Sequence, residues 1–327
     1  MTGLSRLLNI HERTSLPDSR TYTATVEECL SVLEHENPAI RPPDSSGASG
    51  GLLELPAHLP AVIVPDLHAR TLFFLAIMES RPFDSGTLYE LLASGNVIVL
   101  CLGDGFHAES RARERWSEAL EEYIGGFIQH RAMDGEMRES LSLMEMVMHC
   151  KISFPDHFHF LKGNHENVLN EEGNGNHAFR KFALEGEMVL DWLVRQYGED
   201  FVHLYARFEK ALPLAAVSGE WMASHAEPHR FYSRQELVEG RLNADTIAGL
   251  SWTDNGAAQA DAVERMVAAH LPGARDPVYF GGHRPVSQLY SLRAGGLFVQ
   301  IHNPSQTQIA RIRPGFPFTP DLDIVRL

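Results

Sequence analysis

The sequence has few cysteines, no long hydrophobic run and a deficit of positive charge. Its three cysteines, Cys29, Cys101 and Cys150, are odd in number and far apart, which argues against a disulfide framework or a zinc knuckle and favours a reducing compartment. No segment approaches the roughly 20 apolar residues that span a bilayer. Residues 1–17 show no apolar stretch after a basic start, as a signal peptide would. We therefore expect a cytoplasmic protein.

Acidic residues outnumber basic ones by 43 to 28, and the formal net charge is −15. This excess disfavours a partner held by a broad cationic face, such as bulk nucleic acid or an anionic membrane. The sequence also lacks a P-loop, a dinucleotide-binding glycine motif and the Gly-x-Ser-x-Gly of serine hydrolases. Its 327 residues suffice for one large domain or two modest ones.

Several short apolar runs each end close to a side chain that can bind a metal ion. Loops at one edge of a parallel or mixed sheet bring together such side chains from strands far apart in the sequence. The set has no thiolate, which suits manganese, iron or zinc. It is too large for one tetrahedral ion and about right for two ions that share a bridging carboxylate. Its members are two carboxylates, three imidazoles and an amide: Asp66, His68, Asp104, Asn164, His225 and His283.

The order of these motifs resembles that of the calcineurin-like metallophosphoesterase superfamily, over residues 62–283. Gly163-Asn164-His165-Glu166 matches the superfamily in full. Leu-Pro-Leu-Ala-Ala at 212–216 and Leu-Ser-Trp at 250–252 resemble the phosphoprotein-phosphatase (serine/threonine phosphatase) branch. The resemblance implies an α/β fold, namely a four-layer α-β-β-α sandwich with two mixed sheets and a helical insertion.

The composition of the sequence divides the chain in two. A loop rich in proline, serine and glycine at 42–51 separates an N-terminal extension, 1–51, from the catalytic domain, 52–327. Helical patterns at about 110–150 form the expected insertion, and another pattern predicts a helix over about 177–197.

The resemblance also implies a role for each site residue. Two divalent ions, manganese and/or iron with zinc possible, would activate a water that attacks phosphorus. His165, with His107 beside it, would protonate the leaving oxygen. The metal ligands would be Asp66 and His68 for the first ion, Asp104 as the bridge, and Asn164, His225 and His283 for the second.

His107 and Ala108 stand where the phosphatase branch has a second aspartate and a phosphate-binding arginine. The aspartate that would orient His165 is therefore missing. Because two imidazoles in contact should not both be charged, we expect their titrations to be coupled and His165 to be more acidic than with an aspartate partner.

The missing arginine leaves the phosphate-binding residue open. Arg241 lies closest to the place where the branch has another phosphate-contacting arginine, although a plain surface role is at least as well supported. One of Arg111, Arg113 and Arg115, which follow His107 closely, is a second candidate.

Gly-Asp-x-Phe-His at 103–107 is similar instead to the phosphodiesterase and exonuclease branch of the superfamily. That branch usually ends in Gly-His-x-His, whereas here Arg284 and Pro285 follow His283. Another histidine, His302, is expected to be structural or to support a ligand rather than to bind metal itself.

Three functions follow. The favoured one is a phosphomonoesterase of the protein-phosphatase kind, acting on a phosphorylated small molecule, a nucleotide or a phosphoprotein. A phosphodiesterase, nuclease or nucleotide hydrolase is the second. A catalytically inactive metal-binding regulatory protein is the third, and the intact set of ligands argues against it.

Overall fold

The computed structural model describes residues 3–327. Eleven strands lie in this part of the chain: Leu52–Glu54 (β1), Ala61–Val64 (β2), Ile98–Cys101 (β3), Phe158–Phe160 (β4), Ala215–Ser218 (β5), Trp221–Ser224 (β6), Val278–Gly281 (β7), Ser291–Arg293 (β8), Phe298–Gln300 (β9), Gln308–Ile312 (β10) and Ile324–Arg326 (β11).

The α-helices of the same residues precede, separate and cover these strands. They are Gly3–Glu12 (α1), Ser19–Glu34 (α2), Thr71–Glu79 (α3), Leu88–Ala93 (α4), Arg113–Ile124 (α5), Arg131–Ser153 (α6), Glu185–Tyr197 (α7), Glu199–Ala211 (α8), Arg234–Val238 (α9), Ala244–Ser251 (α10), Ala262–His270 (α11) and Pro320–Asp323 (α12).

The strands form two mixed sheets. One has five strands in the order β11-β10-β2-β3-β4, in which β2, β3 and β4 are parallel and β10 is antiparallel to both of its neighbours. The other has six strands in the order β1-β5-β6-β7-β9-β8, in which β6, β7 and β9 are parallel. The carboxyl ends of three parallel strands in each sheet therefore point to one edge.

Alternation of side chains along the strands produces four layers. In β2, Ile63 packs between the two sheets, together with Phe280 of β7. Its neighbour Val64 faces the opposite way, into the cluster formed with helices α1 to α8. On the outer face of the six-stranded sheet, Met222 and Tyr279 pack against α9 to α11. The predicted α-β-β-α sandwich with two mixed sheets is confirmed.

The helix predicted from residue 177 is wrong at its beginning, because α7 begins only at Glu185. Residues 177–184 form an irregular segment instead. Phe179 and Phe182 of this segment pack beside His107, at ring-centroid distances of 5.3 and 6.2 Å. Packing of these two aromatic rings therefore takes the place of the expected first two helical turns.

The two N-terminal helices pack on the helical layer. Buried residues of α1 and α2, such as Leu7 and Val26, belong to the same apolar cluster as α6 and α8. The division at residue 52 stays a prediction. Within residues 3–327, none of the helices is both long and apolar enough to cross a membrane.

A buried ionic cluster fastens the segment after α2 to the rest of the chain. The Glu36 carboxylate is paired with Arg41 and with Lys151 of α6. Arg41 also donates to the carbonyl of Ala211, at the end of α8. Burial would raise the pKa of Glu36, but Lys151, the nearby His159 and Arg41 outweigh burial and hold this pKa well below its usual range. The carboxylate is therefore charged, and two buried cations depend on it.

We predict that Glu36→Ala lowers the free energy of unfolding by about 3–5 kcal/mol, because it leaves buried charges without a partner. The control is Glu34→Ala, which removes an exposed pair with Arg207 and should lose at most about 1 kcal/mol. Urea unfolding followed by circular dichroism measures both. Equal losses in the two variants would contradict the prediction.

Candidate metal centre

The loops that follow the parallel strands bring the predicted ligands together around Asp104. The Oδ2 atom of Asp104 lies 3.4 Å from Nε2 of His225, 3.7 Å from Nε2 of His68 and 3.8 Å from Nε2 of His165. Asp104 is 1% exposed, and it follows β3 at the centre of the converging loops. One carboxylate thus faces imidazoles from both sheets.

The remaining predicted ligands lie on either side of Asp104. Asp66 has an Oδ2 atom 3.9 Å from Nε2 of His68 and accepts a hydrogen bond of 2.9 Å from the backbone N–H of His283. The side-chain oxygen of Asn164 lies 3.0 Å from Nε2 of His225 and 2.9 Å from Nδ1 of His283. The structure therefore brings all six residues together, and each of them is buried.

The tautomers of two histidines direct lone pairs into the centre. Nδ1 of His225 lies 2.9 Å from the carbonyl oxygen of Leu102, and Nδ1 of His68 lies 3.0 Å from that of His107. A carbonyl only accepts, so each Nδ1 is the protonated nitrogen. In the neutral rings both Nε2 atoms then present lone pairs to carboxylate or amide oxygens. Such converging acceptors need a cation between them, and histidines that bind metal usually have their other nitrogen held in this way.

The electrostatics of the centre favour positive charge. Burial would raise the pKa of Asp104, but His225 and His165 outweigh burial and hold this pKa well below its usual range. Burial would likewise lower the pKa of His225, yet the carboxylates of Asp104 and Asp66 raise it to about 9. Oδ1 of Asp66 and Nε2 of His283 are buried without any hydrogen-bond partner among the described residues. The donor set therefore fits divalent cations of the manganese, iron and zinc type.

The backbone around the centre is strained. Nine non-glycine residues have a positive φ in the described part of the chain. Five of these belong to the centre or lie beside it, and each such residue costs on the order of 1 kcal/mol. They are His68, Asp104, His107, Glu109 and His283, with φ between 43° and 73°. Strain of this kind concentrates where a function requires a particular side-chain direction.

Glu166 holds the Asp104 loop in this conformation. Its buried carboxylate accepts hydrogen bonds from the backbone N–H groups of Asp104, Gly105 and Gly163, at 2.7–2.9 Å. A Cβ atom at Gly163 would lie 2.2 Å from Oδ1 of Asp104, so only glycine fits there. The last residue of Gly-Asn-His-Glu therefore shapes the loop that carries Asp104, and makes no bond to His165.

His165 and His107 stack on each other, with ring centroids 5.0 Å apart and an interplanar angle of 27°. Burial lowers the pKa of His165 well below its usual value, and His107 adds to this effect although Asp104 opposes it. The acidic His165 expected from the sequence has this physical basis. Nε2 of His107 lies 3.4 Å from Oε1 of Glu185, at the beginning of α7. A glutamate that the motifs do not include therefore partners His107.

Arg241 lies away from the metal centre. Its guanidinium donates to the carbonyl of Lys210 and lies 3.5 Å from the carboxylate of Asp44. Neither partner belongs to the cluster around Asp104, and no described contact joins Arg241 to that cluster. Its role in binding phosphate stays a prediction from the sequence.

Two other cations lie closer to the centre. The Lys181 ammonium is 2.8 Å from Glu109, whose other oxygen lies 3.7 Å from His68. Arg113 lies 5.7 Å over the ring of Phe182. It is the only one of the three candidate arginines without a carboxylate partner in the described chain, because Arg111 and Arg115 pair with glutamates of α6.

Glu109, Lys181 and Glu185 were not among the site residues predicted from the sequence, and His302 was expected to be structural or to support a ligand. All four lie within contact of a predicted site residue or of each other. None of them belongs to a motif with fixed spacing. Only Glu109 had a signal in the sequence, since it lies two residues after His107.

Among solved structures, the chain is similar to a protein serine/threonine phosphatase from Saccharomyces cerevisiae with similarity to human phosphatase PP5. The TM-score is 0.60 at 13% identity, over 94% of this chain and 89% of that one. A cold-active protein-tyrosine phosphatase of a Shewanella species matches with a TM-score of 0.46 at 12% identity, over 80% and 77% of the two chains, which is too weak to support an argument. No protein-family model and no characterised protein sequence matches. The first likeness shows a phosphatase fold.

We predict that Mn²⁺ raises the thermal unfolding midpoint of the metal-stripped protein. Binding to the folded state alone adds about 2.7 kcal/mol per site at a free concentration of about 100 Kd. Asp104→Asn should lose most of this shift, because the central carboxylate is gone, whereas Asp191→Asn on the surface of α7 should keep it. Differential scanning calorimetry measures the shift, and an unchanged shift in Asp104→Asn would refute the assignment of Asp104.

Proposed function

We propose that this chain is a two-metal phosphoester hydrolase that acts on phosphomonoesters, as a protein phosphatase does. The observation that carries the proposal is the convergence of lone pairs around Asp104, with His165 next to it. The phosphatase fold of the similar yeast protein supports it as well. A pair of divalent cations, when bound, would activate water and neutralise charge on the phosphoryl oxygens.

The proposed ligands are divided by their contacts. Asp66 and His68 lie on one side of Asp104. On the other side, the Asn164 oxygen joins His225 and His283. Asp104, between the two groups, is the proposed bridge. This division agrees with the roles that the motif resemblance implies.

His165 is the proposed partner of the leaving oxygen. Its side chain is 12% exposed, more than that of Asp104 or His68, so it lies nearest to solvent among these groups. Because burial lowers its pKa, the ring is neutral near pH 7 and carries one N–H. A neutral histidine can still donate this hydrogen to a developing oxyanion. His107 stacks on the ring, and Phe179 packs against it at a tilt of 51°, so both restrict its orientation.

The choice of a monoester over a diester rests on Lys181 and Arg113. A monoester ends in a dianionic phosphate, which gains more from nearby cations than a diester does. The side chain of Lys181 is 47% exposed, and its ammonium is bound to a carboxylate that touches His68. Lys181 and Arg113 both lie over the ring of Phe182, and Arg113 is exposed as well. These two cations take the proposed role of the missing family arginine.

The first test compares hydrolysis of p-nitrophenyl phosphate with that of its bis ester, using metal-stripped protein restored with Mn²⁺. We expect a clear preference for the monoester, and loss of this activity in Asp104→Asn. Preference for the bis ester would instead favour the phosphodiesterase function that Gly-Asp-x-Phe-His suggests. Absence of both activities in a protein with bound metal would overturn the proposal.

We also predict that Lys181→Met and Arg113→Met each raise KM for the monoester about tenfold, since a charge-assisted hydrogen bond contributes about 1.5–3 kcal/mol. KM for the bis ester should change less, because it carries one negative charge. Arg195→Met is the matched control, since Arg195 also lies over a phenylalanine ring but on another face. Steady-state kinetics on both esters give the comparison, and equal effects on the two substrates would exclude a role in recognising the dianion.

A further inference from the structure

His302 is a completely buried histidine whose imidazole makes no hydrogen bond. It lies just after β9, and both of its ring nitrogens lack a hydrogen-bond partner in the described chain. Nδ1 is 3.7 Å from Oδ2 of Asp66, and Nε2 is 3.3 Å from Oε2 of Glu109. Its ring centroid is 5.1 Å from that of His68. A buried imidazole without a partner is unfavourable unless something else occupies its lone pair.

Glu109 approaches the same point from another loop. Its Oε1 atom accepts from Lys181, while Oε2 is buried without a hydrogen bond and faces His68 and His302. The residue is 6% exposed and adopts a φ of 50°. The backbone is thus held in an unfavourable conformation that directs a carboxylate oxygen inward.

These contacts surround the side of the centre that has fewer proposed ligands. Nε2 of His68 lies 3.9 Å from Asp66, 3.7 Å from Asp104 and 3.7 Å from Glu109. Three carboxylates therefore face one histidine lone pair. A single protonated ring can neutralise only part of this charge, whereas a divalent cation can be bound by all of these oxygens at once.

Resting on the two-metal centre proposed above, we propose that His302 and Glu109 are ligands of the first cation. Together with Asp66, His68 and the bridging Asp104 they form a set of three carboxylates and two imidazoles. His302 follows β9, and His283 follows β7, the strand with which β9 pairs. The two imidazoles therefore come from neighbouring strand ends.

Glu109 also has a consequence for the cation beside it. One oxygen of Glu109 binds the ammonium of Lys181. As a ligand of the first ion, Glu109 would therefore hold this ammonium next to that ion. The metal centre and the proposed phosphate-binding lysine are thus joined through one carboxylate. Removal of the Glu109 charge should weaken both metal binding and the position of Lys181.

The experiment measures bound metal rather than activity. Metal-stripped full-length protein is titrated with Mn²⁺, free Mn²⁺ is followed by electron paramagnetic resonance, and bound metal is counted by mass spectrometry after dialysis. We expect two ions per chain in the wild type. We expect His302→Ala and the isosteric Glu109→Gln to weaken one of the two sites at least tenfold and to leave the other near its original affinity.

Two variants serve as matched controls. His203→Ala removes an exposed histidine of α8, and Glu114→Gln changes an exposed glutamate of α5 only a few residues from Glu109. Both should bind two ions as the wild type does. If His302→Ala does not fold, as judged by circular dichroism, Glu109→Gln carries the test alone, since it preserves size.

The outcomes separate this inference from the proposed function. Two ions with unchanged affinities in Glu109→Gln and His302→Ala would overturn the inference while leaving the two-metal centre intact. A wild type that binds fewer than two ions would overturn both. Loss of both ions together in the variants would also contradict it, because the two residues would then support the whole centre and not the first ion.

Discussion

The buried carboxylate of Asp104 is the interaction on which the site depends. It lies between histidines from both sheets, on a loop whose backbone N–H groups are held by Glu166. A carboxylate placed there without cationic partners would be costly. Its low pKa and the raised pKa of His225 both follow from this one placement. The same field that favours a proton on His225 favours a metal cation.

The four-layer architecture makes this placement possible. Parallel strands in both sheets end at one edge, so short loops can bring polar groups from distant parts of the chain within 4 Å of each other. Burial of the apolar layers on either side of the sheets stabilises the fold and offsets the backbone strain in the loops. The ionic cluster around Glu36 plays a different role, since it ties the segment after α2 to helices α6 and α8.

The tertiary structure adds charged groups to the histidine pair that the sequence motifs do not contain. Glu185 from α7 places a carboxylate 3.4 Å from His107. Lys181 comes from the irregular segment before α7, which packs its phenylalanines on the paired imidazoles. The charged and aromatic groups around the two histidines thus come from the β3 loop, the segment 177–184 and the beginning of α7.

Much of the site could be predicted from the sequence. Apolar runs that end in polar residues indicated the strands, and six candidate ligands were named because each follows such a run. The resemblance of the ordered motifs to a known superfamily implied the sandwich, which is confirmed. Local pattern failed at residues 177–184, where a helical period is present but aromatic packing on His107 is stronger.

The sequence by itself determined which residue types follow each strand, and hence the chemistry of the ligand set, because strand period and turn residues act over a few positions. Only the tertiary structure decided which other groups lie beside these candidate ligands. His302 and Glu109 lie 193 residues apart by their numbers, and no spacing rule connects them. They meet because β9 pairs with β7 and because a strained loop turns Glu109 inward. Contacts of this kind depend on sheet order and burial, which no local pattern contains.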